Sequence, residues 1–117
     1  AAVRDDLGPD RVRLADPTAE LLGLASAGRT AGRGHGVLAA SDDEVLFVLW
    51  EPRRTVRIRR ERIVAVDTPR WHRGRTRLRP LLRITWRDGS DQDERAAWVV
   101  RDLDTWLAEL RPFRPEA

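Results

Sequence analysis

Apolar and polar positions alternate with period two through most of this chain and switch to a helical period only near its end. Leu82, Ile84 and Trp86 alternate with Arg83, Thr85 and Arg87, and Val56 and Ile58 alternate with Thr55, Arg57 and Arg59. Successive side chains of a strand point to opposite faces, so each set predicts a strand with one apolar face and one polar, arginine-bearing face. Val37 to Ala40 and Val45 to Trp50 are apolar runs separated by Ser41-Asp42-Asp43-Glu44, which predicts a hairpin. Ile63 to Val66 and Ala96 to Val100 predict two further strands. Asp88-Gly89-Ser90-Asp91 is a strong turn signal between the last two strands, because Asp and Gly tolerate positive φ. Leu21 to Ser26, with Leu22 and Leu24 two apart, predicts a strand, although Ala19 to Leu24 is also compatible with a helix start.

Asp16-Pro17 reads as a turn that ends an N-terminal arm, and Val12 and Leu14 suggest an added strand within that arm. Gly28 to Gly36 reads as a flexible hairpin loop, Arg60-Glu61-Arg62 as a short corner and Arg70 to Pro80 as a basic loop. At the end Leu103, Trp106, Leu107 and Leu110 stand at i, i+3, i+4 and i+7 behind Asp102, a capping residue, and Pro112 stops the run. The expected order is about seven short strands and then one amphipathic helix.

Consecutive antiparallel strands must bury one face, and seven of them can curl into two packed orthogonal sheets. The fold class expected is therefore mainly β with one C-terminal α-helix, a seven-stranded antiparallel barrel stoppered by Trp106 and Leu110. The 117 residues suit one domain. Residues 1–16 are expected to form an arm, 17–112 the domain and 113–117 a tail. A chain of this size buries roughly two-thirds of its unfolded surface, enough for a core without disulfides or metals.

Composition narrows the chemistry. Cysteine is absent, which excludes thiol catalysis and thiolate metal sites. No apolar run approaches the ~20 residues that cross a bilayer as a helix. No leader-like stretch opens the chain, so a cytoplasmic protein is expected. The glycines at 28, 32, 34 and 36 lack the Gly-Lys-Ser/Thr of a phosphate loop and precede a strand, not a helix. His35 and His72 stand far apart and offer no metal-ligand spacing. Ser26, Ser41 and Ser90 lie in strand ends or turns, none in a nucleophile elbow. Asp42, Asp43 and Glu44, and Asp88, Asp91, Asp93 and Glu94, occupy expected hairpin tips where water screens them. No cofactor, no metal and no catalytic set is expected.

Charge is unevenly spread. All 22 basic residues are arginines. Residues 53–87 carry thirteen of them against Glu61 and Asp67, a net of +11, while the segments on either side each carry a net of −4. Arg57 and Arg59 should share a solvent face. Arg70, Arg73, Arg75, Arg77 and Arg79 follow, interleaved with Trp71 and His72. Several guanidiniums on one face favour phosphate, because each can donate two parallel hydrogen bonds. Trp86, Trp98 and Trp106 lie on periodic segments and are expected in the core.

The run Gly36-Val-Leu-Ala-Ala-Ser-Asp-Asp-Glu-Val-Leu-Phe-Val48 resembles the opening hairpin of bacterial pleckstrin-homology-like (PH-like, GRAM-like) domains. Thr55 to Val66 is similar to their next hairpin. Leu81 to Gly89, with Ala97 to Trp106, looks like their last hairpin and capping helix. The resemblance spans residues 18–111 and rests on pattern and order. It implies a helix-capped barrel that binds and does not catalyse. The loop that grips phosphoinositides in eukaryotic relatives here offers only Arg29, Arg33 and His35, so the resemblance implies a protein-binding module.

The expected partner-binding residues are Arg57, Arg59, Arg70, Trp71, His72, Arg73, Arg75, Arg77 and Arg79, facing a protein partner with an acidic surface. The alternative use of the same surface is polyanion binding, to anionic membrane phospholipid or nucleic acid. An unpaired edge strand leaves room for a homo-oligomer.

Overall fold

The computed structural model describes residues 12–24, 34–50, 54–70 and 79–110. Seven antiparallel strands are followed by one helix: β1 (Leu14–Leu24), β2 (Gly34–Ala40), β3 (Glu44–Leu49), β4 (Arg54–Arg59), β5 (Ile63–Asp67), β6 (Leu82–Arg87), β7 (Asp93–Val99) and α1 (Leu103–Leu110). A 3-10 turn, Arg60–Arg62, joins β4 to β5. Among the described residues no helix is long and apolar enough to cross a membrane.

The strands form one sheet in the order β4-β3-β2-β1-β7-β6-β5. Hairpin links build each wing, and β1 sits in the middle because its two edges pair with β2 and β7. Among the described residues the closed barrel expected from the sequence is not formed by strand pairing: β4 pairs only with β3, β5 only with β6, and the sheet keeps two ends. The cause lies at the 3-10 turn. Arg60 gives its N–H to the Asp43 carbonyl at 2.9 Å and the chain then leaves the β3 ladder. Three residues later Ile63 is already opposite Trp86 on β6.

β1 corrects a second expectation. Asp16-Pro17 is not a turn; it lies inside the strand, at a register shift between Asp16 and Ala19. Pro17 has no N–H to donate, which a bulge tolerates. Asp16 is buried, and its carboxylate accepts the Thr18 N–H at 2.8 Å and the Arg101 N–H at 2.6 Å. The bulge is thereby fastened to the corner between β7 and α1. Ala19 to Leu24 is strand, not the start of a helix.

The main core gathers Leu21, Leu38, Phe47, Ile58, Ile63, Leu82, Ile84, Trp98 and others on one face of the sheet. Phe47 and Trp98 meet with ring centroids 5.9 Å apart and planes tilted by 60°. Tilted aromatic pairs of this kind add about 1 kcal/mol beyond their buried area. Trp86, Trp98 and Trp106 are all buried, as the periodicity predicted. α1 is capped by Asp102, whose carboxylate accepts the Thr105 N–H at 3.2 Å. Its Trp106 and Leu110 are buried, and Leu103 and Leu107 pack on the same core. The opposite face of β2 and β3 is also covered: Val37, Ala39, Leu46 and Val48 form a second buried cluster against which Val12 packs. Burial on both faces explains why Val45 to Leu49 is a continuous apolar run with no alternation.

Candidate functional site

The site grows from β4. Ile58 points into the core and Val56 packs at its rim, so the period of two sends Arg57 and Arg59 to solvent on the opposite face, as the sequence predicted. The 3-10 turn adds Glu61 and Arg62. The pairing of Ile63 with Trp86 then brings the end of β6 alongside. Arg57, Arg59, Glu61, Arg62, Trp86, Arg87, Asp88 and Gly89 line one open cleft of about 620 Å³.

Four guanidiniums from three elements thus share a cleft with two carboxylates. Arg62 is held most firmly: it donates to the Arg87 carbonyl at 3.2 Å and the Asp88 carbonyl at 2.8 Å, and lies 3.4 Å from the Asp91 carboxylate. Arg57 pairs with Glu44, Arg59 with Glu61 at 2.8 Å and Arg87 with Asp93 at 3.8 Å. The Arg59 and Arg87 pairs face water, and such pairs contribute only about 0–1 kcal/mol, so an incoming acidic ligand can exchange them at little cost. Glu44 is only 17% exposed, so its pair with Arg57 is the best shielded of the three.

The turn that forms one wall is self-organised. The Asp88 carboxylate accepts the Ser90 hydroxyl and N–H, each at 2.8 Å, and the Gln92 N–H at 3.1 Å. These bonds, led by that from the Ser90 hydroxyl and helped by the charge of Arg62, hold the Asp88 carboxyl below the usual carboxylate range. The positive φ that the turn signal predicted falls on Asp91, at 65°.

Comparison with protein-family models, with curated proteins and with solved structures finds no match. The geometry therefore carries the functional argument by itself.

The structure brings only part of the expected site together. Arg57 and Arg59 are in the cleft. Arg70 is exposed just beyond β5, where the Leu81 N–H donates to the Pro69 carbonyl at 2.8 Å. Arg79 is also exposed, but its guanidinium donates to the Val100 carbonyl at 3.2 Å, so it braces the corner before α1. Trp71, His72, Arg73, Arg75 and Arg77 lie outside the described residues. Arg60, from the same basic block, is drawn into the structure by Glu109 and the Ser41 carbonyl.

Sequence reasoning did not select Arg62 and Arg87 as site residues. They sit 25 positions apart, and only the β5–β6 pairing makes them neighbours. The signal available was their place beside an expected corner and an expected turn. The exposed tryptophan among the described residues is Trp50, 53% accessible at the end of β3, where its N–H bonds the His35 carbonyl. It is not a lining residue of the arginine cleft.

Proposed function

We propose that this chain is a non-catalytic interaction domain of PH-like architecture that binds an acidic protein surface through the arginine cleft. The observation that carries this reading is the convergence of Arg57, Arg59, Arg62 and Arg87 on one open cleft beside the rim of Trp86. The strand order supports the architecture: the first strand lies central between wings 2-3-4 and 7-6-5, and the last helix packs its Trp106 into the core.

A protein partner fits better than a polyanion because the lining is mixed. Glu61 and Asp88 stand among the arginines, and each of the four guanidiniums already has a carboxylate within 4 Å. A run of phosphates would meet those carboxylates as like charges. A protein surface can offer carboxylates to the arginines and donors to Glu61 and Asp88.

The test is fluorescence anisotropy of the purified domain with labelled acidic peptides, run beside phosphatidylglycerol vesicles and labelled single-stranded RNA. The expected result is saturable peptide binding that weakens with salt, mainly through the association rate, and is lost in R57E/R59E. Binding of vesicles or RNA with a steep salt dependence, and none of peptides, would establish the polyanion reading in its place.

A further inference from the structure

Among the described residues the outer edge of β4 carries no further strand, which makes it a template for one more. Its ladder with β3 runs without a register shift from Glu44↔Arg59 to Leu49↔Arg54. In an antiparallel pair, opposite residues alternate between those that exchange hydrogen bonds and those that do not. The phase is fixed here because the Arg60 N–H bonds the Asp43 carbonyl. Counting back by two, Ile58, Val56 and Arg54 turn their backbone groups towards β3. Thr55, Arg57 and Arg59 turn theirs away, towards the side where the sheet has no further strand among the described residues.

The two ends of the sheet are not alike. β5, the other edge, has five residues, a register shift between Ile63 and Ala65, and its last residue, Asp67, gripped by Arg83. Bulges and short length are the usual means of blunting an edge. β4 is six residues long with no register shift, and two of the three residues whose backbone faces outwards, Arg57 and Arg59, line the cleft.

We propose that β4 accepts an extended acidic segment of a partner protein as an added strand. This deepens the reading of the cleft as a protein-binding surface and rests on it. Main-chain bonds to Thr55, Arg57 and Arg59 supply affinity, and alternate side chains supply specificity. Acidic residues at every second position meet Arg57 and Arg59, while the intervening residues lie on the side of Val56 at the rim of the core. A second copy of this chain is a poor occupant, because antiparallel pairing of β4 with itself sets arginine against arginine.

The probe is a fluorescein-labelled peptide of alternating glutamate and valine, and the key variant is Arg57→Pro beside Arg57→Ala. Both remove the guanidinium, but only proline removes the outward N–H. Proline is tolerated on an edge strand when that N–H faces away from the sheet. The expected result is binding about tenfold weaker in Arg57→Pro than in Arg57→Ala, the loss expected when about 1.4 kcal/mol of interaction disappears. Amide spectra of the wild type should show Thr55, Arg57 and Arg59 becoming protected from exchange on binding. If Arg57→Pro fails to fold, N-methylation of the probe at alternate residues decides: one phase of methylation should abolish binding and the other should spare it. Equal binding by the two variants, or indifference to N-methylation, overturns strand addition. If R57E/R59E still abolishes binding in that case, the cleft reading stands without it. Probe binding that ignores R57E/R59E removes both.

Discussion

The guanidinium of Arg60 reaches Glu109 twice, donating to its carboxylate at 2.8 Å and to its backbone carbonyl at 2.5 Å. The turn between β4 and β5 is thereby fastened to the last turn of α1. A cation at a helix C-terminus also complements the helix dipole. The same arginine donates to the Ser41 carbonyl at 2.8 Å, and Arg13 joins the cluster 3.2 Å from Glu109. Both Arg60 and Glu109 are only 18% exposed, so this is the best-shielded ion pair among the described residues. Arg60→Ala should lower unfolding stability by about 2 kcal/mol, because it strands partly buried acceptors. Arg59→Ala, which removes an exposed pair, should change it by about 0.5 kcal/mol or less. Urea melts of the two variants compare them, and equal losses would contradict this assignment.

The backbone of β3 lies close against Gly36 on β2. A Cβ placed there would lie 2.1 Å from the Val48 carbonyl oxygen, which is backbone and cannot rotate away. Gly36→Ala should therefore cost about 3 kcal/mol, the upper range for overpacking. Gly89→Ala meets open space and should cost less than about 0.5 kcal/mol. Thermal melts of both variants provide the check.

Asp16 accepts bonds from two backbone donors at once, one from its own strand and one from Arg101 at the far end of the domain. Asp16→Asn keeps the shape but turns an amide towards one of those N–H groups. A loss of about 2 kcal/mol is expected, from one buried donor left unmet. Denaturant unfolding measures it, and slower exchange at the Arg101 amide in the variant would be the wrong sign.

The bonds into Asp88 give a pH dependence with a definite sign. Its folded pKa is lowered, so the stability it contributes is complete above the ordinary carboxylate pKa and is lost as pH falls through the lowered value. Carboxyl titration by NMR should find Asp88 below an ordinary aspartate, and Ser90→Ala should raise it. An unchanged Asp88 in that variant would remove the Ser90 hydroxyl as the leading cause.

Much of this arrangement is legible in the sequence. Val56, Ile58, Leu82, Ile84 and Trp86 fell on buried faces because period two is a local rule. Asp102 capped α1 because capping is decided within a few residues. The errors were non-local. Asp16-Pro17 looked like a turn, since the Arg101 N–H that makes it a bulge arrives from 85 residues away. In a block of arginines nothing local separates Arg60, which Glu109 draws in, from Arg59, which stays 70% exposed. The cleft needed a pairing register, Ile63 with Trp86, that the sequence pattern does not state.

The central claim is that acidic ligands enter the cleft between β4 and the β6–β7 turn. Its most direct test is amide and indole mapping by NMR during titration with an acidic peptide. The account predicts that shifts concentrate at Arg57, Arg59, Arg62, Arg87, Gly89 and the Trp86 indole. Shifts confined to Trp50, or to Leu22 and Ala97 in the middle of the sheet, would contradict it.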